Sequence, residues 1–262
     1  MNFINNFLLS SSFNKISPFI SRKLFKIFKI FFVETDLKNL PINNYEVEER
    51  LEIELNAASK NKRDEKPYIS YPDLLNLLMK LKKENQEFKF CDYGAGNLNL
   101  FYYLNLNLKS LYYYFYDQEY NANVVNKYKI KYKISNLYID KNKTDEIFDF
   151  VYFGSSLQYI KNYREIIKKF INSKYILFAQ TPFYSEPKNV ESVILKQINM
   201  HPKINYLYMF NLGIFVEFML NNKYKLVNKN LNSVTKFMNF KNFKQVYKNL
   251  NMYDLLFEKI IK

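Results

Sequence analysis

Glycine is scarce in this chain, and its placement constrains the fold. There are four glycines in 262 residues, and two of them, Gly94 and Gly96, stand two positions apart in the stretch 88–104, FKFCDYGAGNLNLFYYL. The apolar run through Phe88, Phe90 and Cys91 reads as a short strand ending at Asp92. The segment after Gly96 is placed to open a helix. Strand, glycine turn and helix start together make the first unit of a doubly wound α/β sheet. The first glycine allows the tight turn, and the second lets a ligand approach the backbone. The helix start offers free N–H groups to a polar or anionic group. A third glycine, Gly154, ends another apolar strand.

The rest of the chain continues that unit. Residues 97–108 carry a Leu-Asn alternation with the period of a strand. Parallel strands need a crossover, however, which predicts a helix there. Residues 111–116 (LYYYFY) form a second strand by β-propensity and end at Asp117. That acid lies 21 residues past Gly96, where such folds place a carboxylate on ribose hydroxyls; an ordinary strand-ending acid is the alternative. A third, weaker strand is expected within 128–139, a fourth at 148–153 and a fifth at 175–179, with a helix over 163–172. Small residues after the fourth strand, Gly154-Ser155-Ser156, suit a pocket floor, because ligands bind at the carboxyl ends of parallel strands. Residues 184–210, with Pro187 and Pro202, read as irregular, so an insert at about 183–212 could supply a substrate lid. A helix over 213–222 and strands at 224–231 and 252–261 close the chain.

Residues 1–70 form a helical, partly amphipathic N-terminal extension, ahead of an α/β domain over 71–262. In residues 1–33 no uncharged run reaches the roughly 18 residues of a spanning helix. Between Ser21 and Phe32, Lys23, Lys26 and Lys29 recur among Leu24, Phe25, Ile27, Phe28 and Phe31. This is a basic amphipathic helix, which could lie on an anionic membrane surface or pack its apolar face on the domain. A second helix is expected at 45–59. Pro72 starts another, whose apolar face is Leu74, Leu75, Leu77, Leu78 and Leu81.

The formal net charge of +14 raises the question of nucleic acid. Nearly all of it is lysine; Arg22, Arg50, Arg63 and Arg164 are the only arginines. Readers of phosphates and bases favour the bidentate arginine fork, so this composition argues against a nucleic-acid partner. One cysteine, Cys91, and one histidine, His201, leave no intrachain disulfide and no Cys/His metal motif. A cytoplasmic enzyme without a metal fits these facts.

Asp92-Tyr93-Gly94-Ala95-Gly96, Asp117 and the FDFVYF strand together resemble class I S-adenosylmethionine-dependent methyltransferases over residues 72–262. More specifically, FDFVYFGSSLQYIKNYREIIKKF and YILFAQTPF are similar to a family of bacterial methyltransferases often associated with surface-polysaccharide gene clusters. The resemblance implies a Rossmann-like α/β fold: a seven-stranded, mostly parallel sheet, its last strand antiparallel, with helices on both faces. It implies S-adenosyl-L-methionine as cofactor and a saccharide or other small-molecule hydroxyl or amine as acceptor. Gly94 and Gly96 would approach the amino-acid part of the cofactor, and Asp92 and Tyr93 would also be among its binding residues. Asp117 would hold the ribose, with Gln118 beside the adenine. Ser155, Ser156 and Leu157 would line the pocket near the methyl group. Two positions depart from the pattern. Leu98 stands where a third glycine is usual, and Asn136 or Asp140 would have to replace the acid that reads adenine.

No general base is evident. Gln158, Tyr159 and Thr181 are candidates to orient a hydroxyl, and His201 is a candidate base or else a surface or capping histidine. Other chemistries fit less well. Gly-Ser-Ser-Leu after strand four is not the Asn/Asp-Pro-Pro-aromatic clamp of adenine and glutamine N-methyltransferases. Cys91 precedes the glycine loop, the wrong place for a cytosine nucleophile. The Tyr184/Lys188 spacing of a short-chain dehydrogenase is interrupted by Pro187. Two alternatives remain: an RNA methyltransferase of the same fold, and a non-catalytic member that binds a membrane or a partner through residues 1–33.

Overall fold

The structure is a computed structural model that describes residues 2–28, 30–41, 69–83, 86–139, 146–235, 240 and 242–260. Ten strands form one sheet: β1 (Phe32–Glu34), β2 (Phe88–Tyr93), β3 (Leu111–Tyr116), β4 (Leu137–Tyr138), β5 (Phe150–Gly154), β6 (Tyr175–Tyr184), β7 (Ser192–Gln197), β8 (Asn205–Asn211), β9 (Tyr224–Leu231) and β10 (Asn251–Lys259). Seven α-helices accompany them among the described residues: α1 (Asn2–Leu9), α2 (Pro18–Phe28), α3 (Leu74–Leu81), α4 (Asn99–Asn107), α5 (Glu119–Lys131), α6 (Tyr163–Lys169) and α7 (Leu212–Asn221).

Seven strands run in the order β4-β3-β2-β5-β6-β10-β9. The first five pair in parallel, and β10 lies antiparallel between β6 and β9. This is the seven-stranded, mostly parallel sheet expected from the sequence. The period-2 alternation along each strand sorts its side chains onto two faces. Phe90, Tyr113, Phe115, Phe150, Tyr152 and Leu177 join one core, covered by Leu74 and Leu78 of α3, Phe101 and Leu104 of α4, and Val125 of α5. Cys91, Tyr114, Val151, Phe153, Ile176 and Phe178 join the other, covered by Ile166 and Ile167 of α6 and Phe215 and Met219 of α7. Burial on both faces explains why these strands read as nearly continuous apolar runs.

The sheet has three strands more than expected. β6 continues to Tyr184, five residues past its last partner on β5 at Ala179, and its end pairs with β8 through Phe183 and Tyr184. β7 and β1 then add antiparallel strands outside β8. Residues 184–210, read as irregular from the sequence, are therefore a strand end and a hairpin. Their prolines stand in the connections, Pro187 before β7 and Pro202 between β7 and β8, so they punctuate strands without breaking them.

Other boundaries also differ. Residues 119–131, part of which overlaps the expected third strand, are helical because Val124, Val125 and Tyr128 share the face that meets the sheet; the strand shrinks to Leu137–Tyr138. The Leu-Asn alternation folds as α4, burying Phe101 and Leu104 three positions apart. The basic helix ends at Phe28, and Phe32 already belongs to β1. The helix expected at 45–59 and the candidate Asp140 lie outside the described residues. Among the described residues no helix is long and apolar enough to cross a membrane.

Candidate functional site

From β2 the chain builds outward through β3 to β4, then returns to place β5 on the other side of β2. This reversal opens a crevice at the carboxyl ends of β2 and β5. A cleft of about 350 Å³ occupies it. Asp92, Gly94 and Ala95 line it from the end of β2, and Tyr152, Gly154 and Ser155 from the end of β5. Gln180 of β6, Asn97, Asn99 and Leu100 at the start of α4, and Ile69 and Ser70 before α3 complete the wall. No lysine or arginine is among these lining residues.

The glycine turn is built as its sequence requires. Gly94 and Gly96 have φ of +74° and +69°, in the left-handed region that side chains disfavour. A Cβ on Gly94 would also fall 2.4 Å from Ser156 Cβ, whereas one on Gly96 would meet nothing within 4 Å. The Ser156 hydroxyl donates to the Tyr93 carbonyl at 2.6 Å, so the loop after β5 clasps the turn after β2. Asp117 ties in the third strand end. Its carboxylate accepts from Gly96 N at 2.5 Å, Gln118 N at 2.6 Å and Asn121 Nδ2 at 3.0 Å. The bend and the carboxylate expected from the sequence are thus in direct contact. Asn97 Oδ1 accepts from Asn99 N at 2.9 Å and shapes the entry into α4.

Asp92 is the acid on the cleft floor. It is 3% exposed, and the Tyr113 hydroxyl donates to it. Burial pushes its carboxyl up to about 7, against the pull of that hydrogen bond. Behind Gln180 lies a second buried acid, Asp254. It accepts from Gln180 N and Asn232 Nδ2, each at 2.8 Å, and Asn232 Nδ2 also donates to the Ser70 carbonyl at 2.7 Å. Burial raises the Asp254 carboxyl to about 6. A register shift in β10 between Tyr253 and Leu255, and a φ of +51° at Gln180, accompany this contact.

Several sequence candidates sit elsewhere. Tyr93 turns to the opposite face, against Tyr116, Phe153 and Phe170. Leu157 is buried in that same core. Gln118 is exposed at the start of α5. Asn136 donates to the Leu111 carbonyl at the amino end of β3, about 20 Å of strand away from Asp117. None of the four catalytic candidates lines the cleft. Gln158 is buried and donates to the Ser155 carbonyl at 3.1 Å, bracing the loop that carries Ser155. The Tyr159 hydroxyl donates to Gln197 of β7 at 2.9 Å, and buried Thr181 bonds the Ala179 carbonyl at 3.3 Å. His201 is 1% exposed, packs on Phe13 and donates from Nε2 to the Ile16 carbonyl at 2.9 Å. It is a structural histidine that pins the N-terminal segment.

The sequence reading missed Ser70, Tyr152 and Asn232, which carry no local signal. Asp254 did carry one, as a charged residue inside the otherwise apolar run MYDLLF.

No protein-family model and no curated protein matches the chain. Solved structures do. The chain is similar to the cyclase SpnF at 8% identity, over 86% of this chain and 100% of that one, with a TM-score of 0.50. It is also similar to 1,6-didemethyltoxoflavin-N1-methyltransferase of Burkholderia thailandensis, solved with S-adenosylhomocysteine, at 10% identity, over 88% and 95% of the two chains, with a TM-score of 0.48. A third is an S-adenosylmethionine-dependent methyltransferase of Clostridium acetobutylicum, at 13% identity, over 78% and 96%, with a TM-score of 0.46. At such identities the likeness is one of fold, and a fold shared with a cyclase does not by itself name the chemistry.

Proposed function

We infer that the chain is an S-adenosylmethionine-dependent methyltransferase with the cofactor in the cleft between the ends of β2 and β5. The observation that carries this reading is the contact of Asp117 with Gly96 N, which ties down the glycine bend whose Gly94 and Ala95 line that cleft. The lining suits the cofactor chemically. Asp92 offers a carboxylate to an ammonium group, the backbone of Gly94 and Ala95 lies open to the ligand, and Leu100 and Ile69 offer apolar surface to a flat ring. The volume lies within the range of roughly 300–1,000 Å³ typical of small-molecule sites. When bound, the cofactor supplies a methyl group on an electrophilic sulfonium. The chain's task is then to hold donor and acceptor in line and exclude water.

The acceptor is a neutral, hydroxylated small molecule such as a saccharide, or a small-molecule amine. Ser70, Asn97, Asn99, Ser155 and Gln180 present neutral hydrogen-bonding groups, and the absence of lysine and arginine from the lining among the described residues disfavours an RNA backbone. Calorimetric titration with S-adenosylhomocysteine tests the reading. Micromolar binding that weakens about tenfold or more in Asp117→Ala is expected, because that variant loses the tie to Gly96 N. Undetectable binding by the unaltered chain would refute it.

A further inference from the structure

We propose that the outer face of α1 and α2 is a docking surface for an anionic lipid bilayer. This reading is independent of the chemistry in the cleft.

The two helices are already held by their inner faces. Leu8, Phe13 and Phe25 are buried with Val33 and Ile198. Lys196 Nζ of β7 donates to the Leu8 carbonyl at 3.0 Å, and His201 anchors Ile16. Packing of a single apolar stripe on the domain would end there. Yet the outer side is apolar too: Phe3 is 84%, Phe19 66% and Ile27 70% exposed. Between the helices opens a second hollow of about 160 Å³, walled by Phe3, Phe7, Leu24 and Phe28 among other apolar side chains. Large apolar side chains exposed on two neighbouring helices, with an apolar hollow between them, are the kind of surface that marks an interaction site.

Charge selects the occupant. Residues 1–33 contain Lys15, Arg22, Lys23, Lys26 and Lys29 and no Asp or Glu. Lys15, Arg22 and Lys23 are exposed, and Lys23 Nζ stands 4.5 Å from the centre of the exposed Phe19 ring. A cation beside an exposed aromatic ring, between two exposed apolar side chains of one helix, suits the headgroup level of a bilayer. The hollow accepts acyl carbon, and the lysines meet anionic headgroups. A second copy of this chain would instead bring like charges face to face.

The test is co-sedimentation of the full chain with vesicles. A triple variant, Phe3→Ser, Phe19→Ser, Ile27→Ser, changes only exposed side chains and leaves the buried ones in place. The unaltered chain should sediment with vesicles containing about one-third phosphatidylglycerol and not with phosphatidylcholine alone. The triple variant should lose at least about tenfold in partitioning while its melting temperature holds. Equal partitioning of the two proteins, no sedimentation of either, or a dimer that the triple variant dissolves would overturn the proposal.

Discussion

Replacing Asp92 by Asn should stabilise the protein while weakening its ligand affinity. Asp92 is fully buried, and burial lifts its carboxyl from 3.8 to about 7. A carboxyl that holds its proton more tightly when folded adds stability below its unfolded value. That contribution is lost as pH rises through the folded value. Wild-type stability should therefore fall between pH 4 and 7 on account of this group. Three units at 1.36 kcal/mol each set an upper bound of about 4 kcal/mol above pH 7. The asparagine carries no charge, and its side-chain oxygen still accepts from the Tyr113 hydroxyl. Asp92→Asn should thus equal wild type near pH 4 and exceed it increasingly up to pH 8. Each kcal/mol is worth about 2–4 °C in Tm for a chain of this size. Asp254 titrates alike in both proteins, so the difference isolates Asp92. Thermal melts at pH 5 and pH 8 read the gap directly. Calorimetry on the same samples should show S-adenosylhomocysteine bound about tenfold more weakly by the variant, through loss of a charge-assisted bond to the ammonium group. A variant less stable than wild type at pH 8, or a gap equal at both pH values, would refute the reasoning.

Two further perturbations bear on the turn and on the histidine. Gly94→Ala places a Cβ 2.4 Å from Ser156 Cβ at a positive φ, and should cost about 2 kcal/mol or more. Gly96→Ala, which meets no atom within 4 Å, should cost only about 1 kcal/mol. Denaturant titration compares the two, and adding Ser156→Gly to Gly94→Ala should recover part of the loss; no recovery would mean that the clasp between the loops is misassigned. His201→Ala should lower stability by about 2–3 kcal/mol, through lost packing on Phe13 and an unpaired Ile16 carbonyl. Ligand affinity and turnover should not change, and a loss of turnover in folded protein would return His201 to the candidates for general base.

The local signals were enough for the frame of the sheet. Glycines two apart after an apolar strand, and an acid 21 residues on, name a bend and a partner because both depend on backbone geometry and short-range spacing. The same holds for β3, β5 and the first half of β6, whose aromatic and β-branched runs suit burial on both faces. Tertiary structure decided the rest. Asn136 reads like a ligand-facing residue but sits at the amino end of β3, since the length of α5 sets where β4 begins. His201, chemically the best base in the chain, is spent on the Ile16 carbonyl, 185 residues away. Residues 192–211 join the sheet where the end of β6 outruns β5 and offers an edge to β8. Asp254 reaches Gln180 across 74 residues, next to a register shift that no local pattern encodes. Propensity and spacing act over a few residues, while a hydrogen-bond partner is fixed only when distant segments pack and water leaves.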